Sequence, residues 1–210
     1  MRSLNVYVDS RLAGQLHEGE DLWRFEYDKG WAQTADSFDL APGLPRKTLK
    51  HADGGTMRPV QWFFDNLLPE ELLRQAVSKE AGIKGEDAFA LLQYLGAESA
   101  GSLTLLPPGE ELPKASALRD LPYEKLSSRI ANLPRLTLSA DAPKRMSLAG
   151  AQHKLLVVYH EGHLYEPEGA TPSTHILKPN HPDTDSYPAS VVNEYLTMRF
   201  PLTKWLGFSA

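Results

Sequence analysis

The sequence has no cysteine, which excludes disulfides, thiolate zinc sites and cysteine nucleophiles together. It lacks any apolar run near the roughly 18 residues of a membrane-spanning helix, so no span is expected. The first ten residues show no basic patch followed by an apolar stretch, so no secretory leader is read, and a soluble cytoplasmic protein is the default. Positive charge is also in short supply: 22 Lys and Arg stand against 27 Asp and Glu, for a net charge of −5. A phosphate backbone demands clustered Lys and Arg, and no long basic stripe exists, so direct nucleic-acid binding is not expected. There is no G-x-S-x-G hydrolase elbow and no internal repeat. What is present is a globular composition, 41% hydrophobic and 23% charged over 210 residues, enough for one large domain or two small ones. Fifteen glycines and 16 prolines predict many turns.

The opening alternates in period two. Leu4, Val6 and Val8 predict a strand, Asp9-Ser10-Arg11 a turn, and Leu12 to Leu16 the returning strand of a hairpin. Trp23, Phe25 and Tyr27 alternate with Arg24, Glu26 and Asp28, predicting a half-buried strand that turns at Asp28-Lys29-Gly30. Thr34 to Pro59 has little periodicity and reads as loop. The run from Phe63 through Pro69 into Glu70–Val77 predicts a helix capped by Asp65 or Asn66 and stopped at Gly82. A second helix is expected from about Asp87 to Leu95, then a small-residue turn over Ala97–Gly101 and a strand at Leu103–Leu106. Pro107-Pro108-Gly109 then breaks every pattern and marks the best boundary. Beyond it, helices are expected near Tyr123–Leu133 and Ser190–Arg199, and strands near Leu155–Tyr159 and His175–Lys178. The expected fold class is α+β, with a small mixed domain over 1–106, a linker and helix over 107–135, and a second unit over 136–210.

Three features could carry chemistry. The loop Ser147-Leu148-Ala149-Gly150-Ala151-Gln152-His153-Lys154 is rich in small residues, so its backbone N–H groups could form an anion-binding concavity. It matches no standard phosphate-loop pattern, and on its residues alone an ordinary tight loop is the favoured reading. Lys178 closes an apolar strand; most such lysines merely reach to solvent, but a kinase uses one there to hold ATP phosphates and pairs it with a helix glutamate. Glu194 shares a helical face with Val191, Tyr195 and Met198, where a carboxylate is costly unless paired or at the wet edge of the stripe. Spacing alone does not choose between those two. His160 and His163 flank a Glu161-Gly162 turn and read as exposed turn residues rather than zinc ligands. His181-Pro182-Asp183 echoes a kinase H-R-D, but position 188, where an asparagine belongs, is proline.

On these residues the chain resembles the HipA family, serine/threonine kinase toxins of bacterial toxin–antitoxin systems. The first half resembles the family's small first subdomain in Val6-Tyr7-Val8, Phe25-Glu26-Tyr27, Phe63-Phe64-Asp65-Asn66-Leu67-Leu68-Pro69-Glu70 and Ala100-Gly101-Ser102-Leu103. The second half resembles the start of its kinase core in Arg145-Met146-Ser147-Leu148-Ala149-Gly150-Ala151-Gln152-His153-Lys154, then Pro172-Ser173-Thr174-His175-Ile176-Leu177-Lys178-Pro179, then Asn193-Glu194. The resemblance implies a second unit that is the N-lobe-like part of a protein-kinase-related core. It implies an ATP phosphate loop of Ala149, Gly150, Ala151, Gln152, His153 and Lys154, with Lys178 on the phosphates and Glu194 orienting Lys178. Ser147 sits where the family autophosphorylates, and a phosphate there should expel the loop from the nucleotide site. The implied partners are a HipB-like helix-turn-helix antitoxin, which brings DNA only indirectly, and an aminoacyl-tRNA synthetase as substrate of a complete kinase. No membrane partner is implied.

The departures set further expectations. The family's catalytic aspartate, metal-binding asparagine and second metal-binding aspartate lie on its large lobe, and the matched stretch reaches Ala210 before them. The expectation is therefore an N-terminal portion of a HipA-like kinase with a partial ATP site. It would hold no catalytic residue and no metal ligand, Mg²⁺ would be engaged only in a complete kinase, and the portion would be inactive alone. The alternative is a non-catalytic module that restrains or pairs with a kinase or antitoxin. Two details depart locally. His153 replaces a commonly acidic position, and Phe200-Pro201 places a proline, worth about 3 kcal/mol inside a helix, where the family runs on in helix.

Overall fold

The computed structural model describes residues 1–96, 98–99, 103–114, 116–133, 135–139, 141–143, 146–147, 149–150 and 152–205, with 98–99, 146–147 and 200–205 described by backbone alone. The opening alternation becomes a meander of β1 (Arg2–Val8), β2 (Arg11–Gly19) and β3 (Leu22–Tyr27). Asp9, Glu20 and Asp21 take φ of 54°, 55° and 58° at its tight turns, the left-handed backbone that matches strand twist. Register places Leu4 opposite Leu16 and Leu16 opposite Phe25, so one face is continuously apolar and buried. Gly14 is required there, since a Cβ would lie 2.3 Å from the Glu26 carbonyl and 2.6 Å from the Phe25 ring.

Asp28 does more than turn the chain. Its carboxylate accepts from the amides of Gly30 and Trp31 and caps a short helix, α1 (Lys29–Gln33), that buries Trp31. The stretch read as loop contains β4 (Lys50–Ala52), which pairs with β3. It ends where α2 (Pro59–Asp65) begins, with buried Asp53 accepting from the amides of Val60 and Gln61. The expected cap is corrected: α3 (Glu71–Ala81) starts only after Pro69, Asn66 closes α2, and Asp65 pairs with Arg74 at 2.8 Å. Proline at position 69 splits what the apolar pattern reads as one helix, because it lacks the N–H and crowds the preceding turn. Gly82, with φ 68°, stops α3 as expected.

Next come α4 (Ala88–Leu95), capped by Asp87, then β5 (Glu98–Ser99) and β6 (Leu103–Leu106). The first sheet runs β4-β3-β2-β1-β6, all antiparallel. Phe64 of α2 and Phe89, Leu91 and Leu92 of α4 pack on its apolar face with Phe25 and Leu105.

The stretch expected as linker and helix, 107–135, is part of the second unit: it carries an unexpected strand, β7 (Ser116–Asp120), which pairs with the later β10. Four of its five residues are exposed, so it shows no alternation; it is an edge strand held by backbone bonds. After α5 (Tyr123–Ala131) and β8 (Met146–Ser147) come β9 (Leu155–His160), β10 (His163–Gly169) and β11 (His175–Leu177), in a sheet ordered β11-β9-β10-β7. The β9–β10 hairpin turns at Glu161 and Gly162, φ 47° and 83°. Among the described residues its core is small: Leu121, Leu138, Leu155 and Val157 are buried, with Leu126, Leu164 and Leu177 beside them. The last helix, α6 (Ser190–Trp205), continues past Pro201, further than the expected end near Arg199.

Among the described residues the halves meet at several places. β5 pairs in parallel with β8, Pro69 bridges to Gly150 with the Glu70 amide donating to the Gly150 carbonyl, and the Thr137 hydroxyl donates to Glu80 at 3.0 Å. Between them lies a cavity of about 40 Å³ lined by Leu73, Val77, Leu138, Pro143, His153 and Leu155 among others.

Candidate functional site

β11 and α6 set the position of the first candidate pair. Leaving β11, the chain is fastened to the start of α6 by two hydrogen bonds. The Val191 amide donates to Asn180 Oδ1 at 3.2 Å, and the His181 amide donates to Ser190 Oγ at 2.8 Å. This fixes the helix against the strand end, and Glu194, one turn in, meets Lys178 in an ion pair between Nζ and Oε1. Both side chains are about one-third exposed, at 31% and 34%. Of the two readings left open for Glu194, the paired one is found.

The loop comes to the same neighbourhood. Gln152 donates its amide to the Pro179 carbonyl at 3.1 Å, tying the loop to the residue after Lys178. Gly150 has φ 99°, a conformation close to glycine-only. A Cβ there would lie 2.9 Å from Lys154 Nζ, and that ammonium donates to the Ala149 carbonyl. Partial burial, and then the Lys178 ammonium, hold Lys154 below its ordinary pKa, while Glu70 and Glu194 oppose the shift. Two ammonium groups thus share one region with a positive-φ glycine and two carboxylates, Glu194 paired with Lys178 and Glu70 acting on Lys154. Ala151 lies outside the described residues, as do Ala97, Lys144, Arg145 and Leu148. Ser147 is described by its backbone only, in β8 opposite Ser99.

His153 is 7% exposed, and its Nδ1 has no partner among the described residues. Burial, and then the nearby His181, keep it below the ordinary histidine pKa, so it is held neutral against the cavity between the two halves. His160 and His163 face each other across the hairpin turn, both exposed. Among the described residues no group of three His, Cys, Asp or Glu gathers that could hold a metal ion. His181-Pro182-Asp183 is a local turn, with the Ser186 amide on Asp183 and the Asp183 amide on His181 Nδ1.

Some contributors were not legible. Gln152 belongs to the loop by sequence, but nothing in its spacing signals the tether to Pro179. Asn180 and Ser190 are ordinary polar residues whose value comes only from where the chain doubles back. Glu70 stands at the start of α3, and its amide donates to the Gly150 carbonyl of the loop. Val191, Tyr195 and Met198 on α6 are exposed at 38%, 56% and 68%.

Comparison with known proteins gives consistent matches. The model of the HipA N-terminal domain matches residues 4–106, and that of the HipA-like C-terminal domain matches residues 146–207. A putative kinase, Y4mE, of Sinorhizobium fredii is 35% identical over 207 residues, which are 95% of this chain and 47% of that protein. The serine/threonine-protein kinase toxin HipA of Shewanella oneidensis is 31% identical over 211 residues, 99% of this chain and 45% of that protein. The chain thus spans about half the length of these curated relatives. Among solved structures, a chain of the Shewanella oneidensis complex of HipA, HipB and operator DNA superposes with a TM-score of 0.64 at 29% identity. The match covers 83% of this chain and 40% of that one.

Proposed function

The chain belongs to the HipA family, and on that premise we propose that its second half is the phosphate-gripping part of a HipA-like serine/threonine kinase. In this reading Ala149 to Lys154 and Lys178 contact the ATP phosphates, and Glu194 holds Lys178 in place. The observation that carries it is the Lys178–Glu194 ion pair joined to the loop through Gln152 and Pro179. The donor set fits a triphosphate: two ammonium groups and a loop with a positive-φ glycine, with Lys154 already on a loop carbonyl it can release. It does not fit Mg²⁺, because Glu194 is committed to the Lys178 ammonium, Glu70 is the one other carboxylate acting on Lys154, and no three-residue metal cluster gathers among the described residues. Phosphoryl transfer also needs a group to orient the nucleophile, and no matched position supplies one. These 210 residues therefore bind nucleotide weakly and do not turn it over.

The remaining roles are those the family resemblance implies. Ser147 is the site of loop phosphorylation, the partner is a HipB-like antitoxin of the kind present in the Shewanella complex, and an aminoacyl-tRNA synthetase is the substrate of the complete enzyme. A cytoplasmic location goes with this reading. No described helix is long and apolar enough to cross a membrane. A second reading, a non-catalytic module that docks a protein partner, is favoured by the exposed Val192, Tyr195, Leu196 and Met198 of α6, since a bare apolar helix face commonly marks an interface.

Calorimetric titration with ATP tests the first reading. Binding should weaken by roughly tenfold or more in Lys178→Ala, the size expected of one charge-assisted contact. Unchanged affinity would remove Lys178 from the site, and sustained turnover of labelled ATP would overturn the inactivity.

A further inference from the structure

We propose that His153 is a proton-operated latch: its neutral ring seats the loop around Gly150 and Gln152 against the first unit, and its charged ring releases it. The ring is buried at the cavity between the two halves, lined with it by Leu73 and Val77 of α3, Leu95 of α4, and Leu138 and Leu155. The loop has two fastenings beside this seat. Gln152 is tied to the Pro179 carbonyl, and Gly150 to Pro69 and the Glu70 amide of the first unit.

The argument turns on hydrogen bonds. A neutral imidazole donates from one nitrogen and the imidazolium from both, so a charged His153 carries an N–H at Nδ1 whichever tautomer it starts from. Nδ1 is buried and has no partner among the described residues. The groups around it offer a new cation no relief. α3 and α4 present only apolar side chains to the cavity. Glu166 of β10 is taken by Arg119 and Arg129, and Glu80 is engaged by the Thr137 hydroxyl. Lys154 is itself a cation, with its ammonium on the Ala149 carbonyl. Lys178 and Glu194 are spent on each other, Glu70 acts on Lys154, and His181 opposes the charge. A buried, unpaired cation is costly. Because Nδ1 is closed to solvent in its seat, taking up the proton and leaving the seat are one event. A released histidine titrates near about 6.5. An open state that accepts the proton gains over a closed one that excludes it by roughly 1.1-fold at pH 7.5 and roughly 11-fold at pH 5.5. Opening should therefore rise by up to about tenfold across that range.

The latch stands without nucleotide; its effect on ATP rests on the phosphate-gripping role proposed above. A released loop carries Gln152 and Lys154 away from Lys178, so ATP should bind more weakly at pH 5.5 by more than its own protonation explains. The test uses the full 210-residue chain, first without nucleotide. Hydrogen exchange of the Glu70 amide, corrected for the intrinsic pH dependence of exchange, should quicken by up to about tenfold from pH 7.5 to 5.5, in step with the His153 ring resonances, which need no variant. His153→Leu puts an apolar side chain that takes no proton in the seat and should flatten the response. His181→Gln keeps the backbone contact to Ser190 and should retain it. A change under about twofold in the unmodified chain, a response that persists in His153→Leu, or one abolished by His181→Gln would each overturn the latch. Calorimetry with ATP at both pH values separates the two claims. An amide response with no His153-dependent change in ATP affinity sinks the nucleotide site and leaves the latch standing, whereas weaker ATP binding with silent amides sinks the latch.

Discussion

Replacing Glu166 by Gln removes a buried charge from the centre of the second unit. Its carboxylate accepts four charge-assisted hydrogen bonds, at 3.0 and 2.7 Å from Arg119 and 2.7 and 3.3 Å from Arg129. At about 1.5–3 kcal/mol each the gross gain is roughly 6–12 kcal/mol, set against several kcal/mol of desolvation per ion. The assembled cluster is thus near break-even, but removing Glu166 leaves the buried Arg129 charge unopposed, costing about 3–5 kcal/mol, while Arg119 and Lys125, more than one-third exposed, are screened by solvent. Glu166→Gln should lose that much, whereas Arg129→Met with Glu166→Leu should recover most of it. The two halves can be read separately. Trp23, Trp31 and Trp62 all lie in the first unit, so urea transitions by tryptophan fluorescence report mainly there. Hydrogen exchange of the β9 and β10 amides reports on the second. The expected outcome is lost protection in β9 and β10 with the fluorescence transition little changed. A loss below about 1 kcal/mol in Glu166→Gln, or a double variant as unstable as the two singles added, would refute the reasoning.

Three further outcomes are expected. Glu194→Gln should cost under about 1 kcal/mol of stability, because the pair with Lys178 is one-third exposed and screened, yet should weaken ATP measurably by calorimetry; the opposite pattern would make the pair structural. Gly150→Ala forces φ 99° on a residue with a Cβ, a strain of about 1–3 kcal/mol. Calorimetry should show weaker nucleotide binding with the circular-dichroism spectrum unchanged, and full affinity would place the loop elsewhere. His153 has a folded pKa below its unfolded value of 6.5, so the unfolded chain binds the extra proton first. Stability should hold above pH 6.5 and decline as pH falls from there toward the lower folded pKa, by at most about 1.4 kcal/mol per pH unit from this group. His17 is shifted the same way by burial and Arg24, so chemical denaturation of His153→Gln should keep only the His17 share of that slope; an undiminished slope would exonerate His153.

The first sheet was legible because its strands alternate cleanly, with Leu4, Val6 and Val8 or Trp23, Phe25 and Tyr27 all turned to one core. β4 and β7 were not. Lys50–Ala52 is too short for a period, and β7 exposes four of five residues, so neither carries a burial signal. The α3 start was misplaced because the apolar spacing around Leu67 and Leu68 runs on through Pro69, and only the broken backbone bond decides it. At the site, Lys178 and Glu194 stood out because a charge on an apolar stripe is anomalous. Their pairing was not readable from a spacing of 16 residues; it depends on Asn180 and Ser190 folding the helix back. The Glu166 cluster was invisible for the same reason. Arg119, Arg129 and Glu166 come from three elements, one of them the unforeseen strand.

The two halves differ in what holds them, and this bears on how the loop works. The first unit packs a five-stranded sheet under Phe25, Phe64 and Phe89, whereas the second buries only Leu121, Leu138, Leu155 and Val157 as apolar core among the described residues. A core that small supplies little beyond the conformational entropy it must offset, so the second unit depends on its borders. On one side these are the Glu166 cluster and α5. On the other, Pro69, Glu70 and Glu80 of the first unit touch Gly150 and Thr137, and Glu70 also acts electrostatically on Lys154. The loop is therefore braced by the first unit while Lys178 is braced by α6. The loop is thus held at both ends of its reach, by Pro69 and Glu70 of the first unit at Gly150 and by Pro179 through Gln152, so a displacement of Gly150 and Gln152 breaks contacts to both halves.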